Sequence, residues 1–328
     1  MIMLSCRSVM NIILLSTFAT VVGACDNRNI LPGSGMRPYE ILVVADNSET
    51  GKLADSILSL PIHALSQPEP QFDVSLTISS DINNTMSLAR VIVVVETDSK
   101  KYRDIKVKYE RDVWAKPQLI VHISAPTVWR LRQSADKWGS QVSALINRFE
   151  TNEAISTLKD DTCAAASRYA ATTTGWTIKV PGDMSYIKRG RDFIWFSDNG
   201  NETSKNICLY TYHATSVDSR ELIRKRDSIM ARNIPGERQG MFMQTAGNKP
   251  EIFKQKYGGN DIMICRTLWE MKADAMGGPL VCHALLDSSA NKVIVAEAFV
   301  YAPSAPKRNK MRYLEALLYT LSRARKQI

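Results

Sequence analysis

The sequence carries none of the common catalytic and cofactor-binding motifs. Its 328 residues contain no GxSxG, HExxH, P-loop or GxGxxG motif. The sequence therefore lacks the usual signatures of serine hydrolases, zinc proteases and nucleotide-binding folds. Only four histidines occur, His63, His122, His213 and His283, and none is spaced as a metal pair. We therefore expect no cofactor and no bound metal, and we assign no catalytic residue.

Cysteine is also scarce. The six cysteines include no CxxC pair, which argues against a redox-active dithiol or a zinc ribbon. Cys208, Cys265 and Cys282 each lie in an apolar, strand-like run, where a free cysteine packs as a small buried hydrophobe. An exported protein can form disulfides, and Cys265 and Cys282 can face each other on adjacent strands. The sequence leaves two alternatives open: Cys265 and Cys282 form a disulfide bridge, or both remain free thiols.

No apolar run is long enough to cross a membrane. Residues 11–24 form an uncharged run of 14 residues, shorter than the ~20 that a spanning helix needs but suited to a signal peptide. The run ends in Val22-Gly23-Ala24-Cys25, which resembles the lipobox of bacterial lipoproteins. The resemblance implies that residues 1–24 are a removable signal peptide and that Cys25 is acylated and anchors the protein to a membrane.

The composition predicts a folded, basic body behind this anchor. Residues 25–37 are mostly polar and contain Pro32, Gly33 and Gly35, so we interpret them as a tether. The remaining chain is long enough for one large domain or two ordinary ones. A net charge of +9 and a pI near 9.2 permit attraction to anionic lipid or acidic polymers. No nucleic-acid motif is present, and we expect no nucleic-acid partner.

Periodicity predicts a change of architecture near residue 175, within an overall α/β (α+β) class. Over 38–174, strand patterns alternate with helical ones, and an apolar stripe from Val128 to Phe149 is followed by further helix over 152–174. This alternation predicts a mostly parallel N-terminal α/β layer. Over 175–328, successive strands, including a meander within 261–301, predict an antiparallel sheet with flanking helices.

Three turn-rich polar stretches are candidate binding surfaces, because forked guanidinium groups bind acidic ligands, an aromatic face stacks on a sugar, and a Gly-Gly turn permits close backbone approach. Ordinary hairpin and helix-cap chemistry with solvated charges would explain them equally. Their residues are Arg226, Asp227, Asn233, Glu237 and Arg238 in the first, Trp269, Lys272, Asp274, Gly277 and Gly278 in the second, and Lys307, Arg308 and Asn309 in the third.

Glu297 is the acid inside the apolar run VIVAEAFVY. Strand alternation places it on the same side as Val295 and Phe299, which predicts partial burial. A buried carboxylate needs a partner, and we expect Arg266 or Lys272 across the meander. Because buried acids are often functional, Glu297 joins the candidate residues.

Several segments together are similar to an uncharacterised family of bacterial lipoproteins known as a domain of unknown function. They include RPYEILVVADN, LSQPEPQF, RDVWAKPQLI, RDSIMARNIPGERQGMFM and LWEMKADAMGGPLV, and the resemblance covers residues 37–321. It implies an envelope lipoprotein of Gram-negative anaerobes and no particular activity. The Trp176-x-x-Lys-Val-Pro pattern and the strands after it also resemble the start of a Mog1/PsbP-like sandwich.

Three functional hypotheses follow. The favoured one is a non-enzymatic binding or assembly module, lipid-anchored to the inner or outer membrane, facing the periplasm, with an envelope protein or polymer as partner. The second is a glycan-acting or other hydrolase that uses Glu297 with Asp274 or Asp227 as paired carboxylates. The third is a carrier of a small ligand or lipid, which requires an apolar cavity between sheet and helices.

Overall fold

The computed structural model describes residues 31–158 and 161–324. The predicted signal peptide and Cys25 lie outside the described residues. Pro32 and the residues after it belong to one compact unit built around two β-sheets. Among the described helices, none has both the length and the apolar character needed to cross a bilayer.

The first sheet has five strands in the order β2-β1-β3-β5-β4. Its strands are β1 Glu40–Ala45, β2 Asp73–Ile78, β3 Val91–Thr97, β4 Lys106–Arg111 and β5 Leu119–Ala125. All pairings are parallel except that of β4 with β5. The mostly parallel N-terminal layer predicted from the alternating pattern is therefore confirmed. Its central strands are apolar on both faces because both faces are covered.

The helices of this layer are α1 Ser48–Leu58, α2 Asn84–Ser87, α3 Val128–Gln133 and α4 Ala135–Thr157. The single apolar stripe predicted from Val128 onward spans two helices, with a break at Ser134. Trp138 donates its indole N–H to Leu131 O across this break at 2.9 Å. The apolar spacing continues through the break, so periodicity alone could not reveal it.

The prediction of one continuous helix over 152–174 is wrong. Helix α4 ends at Thr157, and a separate helix, α5, spans Ala164–Thr174. Between them, Thr162 pairs with Pro181, and Cys163 N donates to Val180 O at 2.8 Å. These contacts hold the chain in an extended form before α5. Gly175 then ends α5 in the left-handed conformation, as its sequence position indicates.

The second sheet is antiparallel and has eight strands, in the order β10-β12-β13-β14-β9-β8-β7, with β11 also pairing with β12. The remaining strands are β6 Trp176–Thr177, β7 Tyr186–Gly190, β8 Phe193–Ser197, β9 Ser204–His213, β10 Met243–Thr245, β11 Glu251–Tyr257, β12 Asn260–Met271, β13 Gly277–Asp287, β14 Lys292–Tyr301 and β15 Ser322–Arg323. Strands β6 and β15 form a separate pair. The predicted meander is confirmed as β12-β13-β14.

Helices cover both faces of the second sheet. They are α5, α6 Ser219–Asn233 and α7 Arg308–Leu318. Helices α5 and α7 share one apolar core with the sheet, and α6 shares another. The antiparallel sheet with flanking helices is thus confirmed. The sequence pattern missed β11, because only Ile252 and Phe253 in its sequence EIFKQKY are half-buried and the other five residues are exposed.

Helix α7 also holds the two sheets together. The Glu69 carboxylate accepts hydrogen bonds from Lys307 N at 2.7 Å and from Arg308 N at 3.0 Å, which caps the start of α7. The Arg308 guanidinium donates to Asp73 Oδ2 at 2.5 Å and to Pro70 O at 2.6 Å. An acceptor-rich loop of the first layer therefore binds the positive end of a helix in the second.

The body begins earlier than the predicted tether allows. Gly35 N donates to Leu88 O at 2.8 Å, and Arg90 N donates to Gly35 O at 3.0 Å. Lys116 N donates to Pro32 O at 2.9 Å. Residues 32–35 are therefore joined to the first layer by backbone hydrogen bonds, which need no apolar side chains and leave no trace in hydropathy.

Candidate functional site

A cleft of about 770 Å³ lies between the two layers. Its walls come from the loop after α1, from α4, from α7 and from the β11–β12 hairpin. Polar, charged and aromatic side chains line it, including Tyr39, Gln71, Asn147, Arg148, Asn152, Glu251, Gln255, Lys256, Tyr257, Arg266, Arg312, Glu315 and Tyr319. The apolar residues Leu60, Pro61, Ile62 and Ala144 are also part of the wall, so the cleft has a mixed polar and apolar lining.

Arg312 is a buried cation at this cleft. Only 8% of the residue is exposed. Its Nη1 donates to Gln71 O at 2.5 Å, and its guanidinium carbon lies 4.3 Å from the centre of the Tyr39 ring and 5.2 Å from that of Phe72. It pairs with no carboxylate in the described part of the chain. Burial lowers the pKa of Arg312 to about 10, which still leaves it charged at neutral pH.

Asn147 supplies a second unsatisfied group. Its Oδ1 is buried and accepts no hydrogen bond from the residues that the structure describes. Asn147 lies on α4, across from α7, and lines the same cleft as Arg312. A buried acceptor without a donor is costly in a folded protein. Two groups of the cleft thus lack the partners that buried polar groups normally have.

Arg266 and Glu315 form the neutralised part of the site. Arg266 Nη2 lies 2.7 Å from Glu315 Oε1, and Arg266 Nη1 lies 3.6 Å from Glu251 Oε2. Burial by itself would raise the pKa of Glu315, but the adjacent Arg266 guanidinium outweighs it and the pKa is lowered to about 2. Glu315 is therefore ionised and bound to Arg266. Arg312 has no carboxylate partner of this kind among the described residues.

His283 lies behind Glu315 in the core. It is buried, and its Nε2 is 3.8 Å from Glu315 Oε1, too far for a hydrogen bond. Its ring packs edge-on against Tyr319, with centroids 4.5 Å apart. Burial lowers the pKa of His283, which favours the neutral ring.

Aromatic rings line the cleft near these charges. Burial raises the pKa of Tyr39, whose ring lies under Arg312. Tyr257 from the β11–β12 hairpin packs on Tyr319 from the end of α7, with ring centroids 4.5 Å apart. Tyr257 is 38% exposed, so part of its ring faces solvent. Gly258 and Gly259 have positive φ angles of 56° and 82° and form the turn that places Tyr257.

The helical repeat of α7 explains why its charged residues meet at the cleft. Arg312, Glu315 and Tyr319 recur at steps of three and four, so they share one side of the helix. The apolar stripe of Met311, Leu314 and Leu318 runs beside them. Charged residues directly beside an apolar stripe are the sequence signal that points to this site, and our sequence reading did not use it.

The first predicted surface is partly an interior ion pair. Arg226 is only 1% exposed and Glu297 is fully buried. Arg226 Nη2 lies 2.8 Å from Glu297 Oε1, and Tyr210 donates its hydroxyl to Glu297 Oε2 at 2.9 Å. Burial of Glu297 is confirmed, but the expected partner, Arg266 or Lys272, is wrong. The partner is Arg226 of α6. This helix packs on the sheet in space but is distant from β14 in the sequence.

The other residues of this first surface have separate roles. Asp227 Oδ1 accepts hydrogen bonds from Thr245 N at 2.8 Å and from Arg226 Nη1 at 3.1 Å. Asn233 donates its side-chain amide to Ile229 O at 2.8 Å near the end of α6. Glu237 and Arg238 are exposed in the following loop. Arg226 thus bridges Glu297 and Asp227, and a pair of free carboxylates for hydrolysis is not formed there.

The second predicted surface centres on a residue that is not available to a ligand. Trp269 is 3% exposed and donates its indole N–H to Val300 O at 3.2 Å, so the proposed stacking on a sugar is wrong. Gly278 is buried and Gly277 half-buried, and the close backbone approach expected there comes from β14 of the same sheet. Lys272 and Asp274 are exposed at the hairpin turn.

The third predicted surface binds the first layer instead of an outside partner. Lys307 and Arg308 are buried against the loop of Glu69 and Asp73, as described for the start of α7. Asn309 is exposed and donates to Pro38 O at 3.3 Å. These residues are polar because they join two layers, a role that sequence alone cannot separate from surface binding. None of the predicted candidates lines the interlayer cleft.

No metal site is formed by the described residues, since no group of three or more His, Cys, Asp or Glu side chains is placed to hold an ion. The four described cysteines, Cys163, Cys208, Cys265 and Cys282, are free thiols. Cys265 and Cys282 are nevertheless direct neighbours in the β12–β13 register, as the apolar runs allowed.

Two family models match successive parts of the chain. They are the domain of unknown function DUF8532, over residues 34–159, and the domain of unknown function DUF4837, over residues 164–320. The sequence resemblance to a domain of unknown function is thereby supported. No protein of curated function matches the chain.

Solved structures show distant similarity only. The Ran-binding protein Mog1p of Saccharomyces cerevisiae is 10% identical, with 45% of this chain and 90% of Mog1p covered and a TM-score of 0.29. A Bacteroides thetaiotaomicron protein is 13% identical, with 47% of this chain and 48% of that chain covered and a TM-score of 0.27. The expected Mog1-like character is thus a weak likeness, and at these scores it carries no functional argument.

Proposed function

We propose that this protein is a non-enzymatic ligand-binding module of the bacterial envelope, with the interlayer cleft as its binding site. The observation that carries the proposal is Arg312, a buried guanidinium that lines the cleft and has no carboxylate partner among the described residues. A buried cation is normally paired. A ligand with negative charge would supply the missing partner.

The state of the acids supports binding over hydrolysis. Glu315 is the acid nearest Arg312 along α7, and it is already bound by Arg266 at 2.7 Å. Glu297, the acid of the alternative hydrolase hypothesis, is fully buried and bound by Arg226 and Tyr210. A general acid or nucleophile must reach the reacting atom. Glu297 is buried away from the cleft, and Glu315, which lines the cleft, is held in an ion pair by Arg266.

Membrane anchoring through Cys25 belongs to the same proposal. It is supported by the lipobox-like Val22-Gly23-Ala24-Cys25 after an uncharged apolar run. Pro32 already bonds to the body through Lys116. Seven residue steps separate Cys25 from Pro32 and span at most about 25 Å. An acylated Cys25 would therefore hold the cleft-bearing body close to the membrane surface, on the periplasmic face of the inner or outer membrane.

Hydrogen exchange of the full-length protein tests the binding site. Small-molecule fractions from the envelope of the producing cells are added, and amide protection is measured along the chain. We expect a fraction that slows exchange in α4 near Asn147 and in the β11–β12 hairpin, with no change in the Lys272–Met276 turn. Protection confined to the Lys272–Met276 turn, or no protection in the cleft from any fraction, would contradict the proposal.

Metabolic labelling tests the anchor separately. Full-length protein expressed with radiolabelled palmitate should incorporate the label, and the Cys25→Ser variant should not. The Cys163→Ser variant is the matched control, since Cys163 is a half-buried thiol of the folded body, and it should label like the wild type. Equal labelling of the Cys25→Ser variant would contradict the proposed lipid anchor. The proposed binding site in the cleft does not depend on this result.

A further inference from the structure

We infer that the cleft binds an acidic sugar, a hydroxyl-bearing ring with one carboxylate or phosphate group. Arg312 binds the anionic group, and Asn147 Oδ1 accepts a hydrogen bond from a ring hydroxyl. This inference rests on the proposed function and names the chemical class of its ligand.

The anionic group follows from the balance of charge around Arg312. The neighbouring cation Arg266 is held by Glu315 at 2.7 Å and approached by Glu251 at 3.6 Å, so it is already compensated. Arg312 Nη1 donates one hydrogen bond to Gln71 O at 2.5 Å. Its Nε and Nη2 donate to no acceptor within the described residues. A guanidinium with two adjacent free donors fits the two oxygens of a carboxylate or phosphate.

Two aromatic rings hold this guanidinium in place before a ligand binds. Tyr39 and Phe72 lie 4.3 Å and 5.2 Å from its central carbon, measured to the ring centres. Cation–π contacts of this kind stabilise the charge without consuming its hydrogen-bond donors. Arg312 is therefore fixed in direction and still able to bind an anion, which lowers the entropic cost of binding.

The hydroxyl-bearing part follows from Asn147 and the polar cleft wall. Asn147 Oδ1 is buried and lacks a donor among the described residues. A rotation of the Asn147 side chain towards the cleft would let a ligand hydroxyl supply that donor. Gln255 and Asn152 also line the cleft and offer both donors and acceptors. Mixed donors and acceptors around one cation suit a molecule with several hydroxyl groups better than an acyl chain.

The ring follows from the aromatic wall and the size of the cleft. Tyr257 is 38% exposed and packs against Tyr319, with centroids 4.5 Å apart and the rings tilted by 44°. The exposed part of the Tyr257 ring is available to the C–H groups of a sugar. The volume of about 770 Å³ lies within the range common for small-molecule sites. At the mouth, Arg148 and Lys256 add positive charge that attracts an anion.

Isothermal titration calorimetry on the full-length protein in detergent tests the inference. The probes are glucuronic acid, glucose 6-phosphate, inorganic phosphate and neutral glucose. We expect one or both acidic sugars to bind at least about 10-fold more tightly than glucose. The acidic sugar that binds more tightly identifies the anionic group as carboxylate or phosphate. Inorganic phosphate should bind more weakly than glucose 6-phosphate, because it lacks the sugar ring and its hydroxyl groups.

Variants separate the two contacts. Arg312→Gln should weaken the acidic sugar by about 10- to 100-fold, and Arg312→Lys, which keeps the charge but loses the fork, should have a smaller effect. Asn147→Ala should weaken both the acidic sugar and glucose. Arg168→Gln, at an exposed position on α5 outside the cleft, is the matched control and should bind like the wild type. Circular dichroism establishes that each variant is folded.

Three outcomes would overturn the inference. They are equal affinity for glucose and both acidic sugars, unchanged affinity in folded Arg312→Gln and Arg312→Lys, or no binding of either acid up to about 10 mM. If Arg312→Gln does not fold, Arg312→Lys and Asn147→Ala still decide the result. The hydrogen-exchange experiment does not depend on these probes. Protection of the cleft by an envelope fraction would therefore keep the proposed function even if the acidic-sugar class is wrong.

Discussion

The guanidinium of Arg226 lies 2.8 Å from the carboxylate of Glu297, between α6 and strand β14, and both side chains are buried. Tyr210 and Asp227 complete the network at 2.9 Å from Glu297 Oε2 and 3.1 Å from Arg226 Nη1. Each charge therefore has a partner inside an otherwise apolar core. The pair fixes the position of α6 on the sheet.

Removing one member of this pair should be strongly destabilising. Arg226→Met leaves the Glu297 carboxylate buried without its cation, and we expect a loss of about 3–5 kcal/mol in the free energy of unfolding. The double variant Arg226→Met with Glu297→Gln should lose much less than the sum of the two single variants, because no buried charge is left. Urea denaturation measures all three.

Arg224→Met is the matched control for the pair. Arg224 lies on the same helix, and its side chain is 71% exposed beside Glu221. We expect a change within about 0.5 kcal/mol. A similar loss in the Arg224 and Arg226 variants would show that helix α6 responds to any loss of arginine, and not to the loss of a buried partner.

Gly278 should tolerate no side chain. A Cβ there would overlap Val300 O and approach Trp269 Nε1 to 3.1 Å. Gly278→Ala must therefore shift β14 or break the indole hydrogen bond, and we expect a loss of about 1–3 kcal/mol. Gly247→Ala is the control, since nothing lies within 4 Å of its Cβ position. Equal urea midpoints for the two variants would contradict the close packing at Gly278.

Acid should destabilise the protein in two steps. Burial lowers the pKa of His283, so the unfolded chain takes up a proton more readily than the folded one below its ordinary pKa of about 6.5. Glu315, with its pKa lowered to about 2, adds stability that is lost as the pH falls from about 4.5 towards 2, roughly 3 kcal/mol in all. Both effects reduce the free energy of unfolding as the pH falls.

His283→Phe tests the first step. This variant keeps an aromatic ring against Tyr319 but cannot bind a proton, so it should lose less stability between pH 7 and pH 5 than the wild type. The exposed His213→Gln serves as control and should retain the wild-type loss. Chemical denaturation at the two pH values supplies the comparison, and an unchanged difference in His283→Phe would refute the assignment.

Thiol reactivity should follow burial. Cys208, Cys265 and Cys282 are buried, and Cys163 is partly exposed. Burial raises the pKa of Cys208, and contact with Cys265 together with burial raises that of Cys282, so neither forms a thiolate readily. We expect iodoacetamide to label Cys163 first in the native protein and the other three only in urea. A Cys265–Cys282 disulfide peptide in the mass spectrum would instead show that the neighbouring pair oxidises.

The sequence by itself determined the local elements and the two kinds of sheet. Alternation in the first half and successive strands in the second reflect which faces of each element are buried, and burial leaves a regular pattern of apolar residues. The same reasoning located Glu297 in a core strand and Gly278 at a close approach. It failed at Ser134, where the apolar spacing continues although the helix ends, and between Thr157 and Ala164, where Thr162 pairs with Pro181.

Tertiary structure alone decided what the charged residues do. Arg226 and Arg308 have the composition of a binding surface, but both are buried because a carboxylate from a distant part of the chain binds each of them. The Lys307 ammonium is also buried, and it donates to Ala305 O at 3.0 Å. The sequence pattern did not single out Arg312 and Asn147. The approach of α7 to α4 places both at one cleft, where Arg312 is buried without a carboxylate partner among the described residues and Asn147 Oδ1 is buried without a donor. Hydrogen-bond partners far apart in the chain carry no periodic signal, so only the folded arrangement separates a satisfied charge from one that is free to bind a ligand.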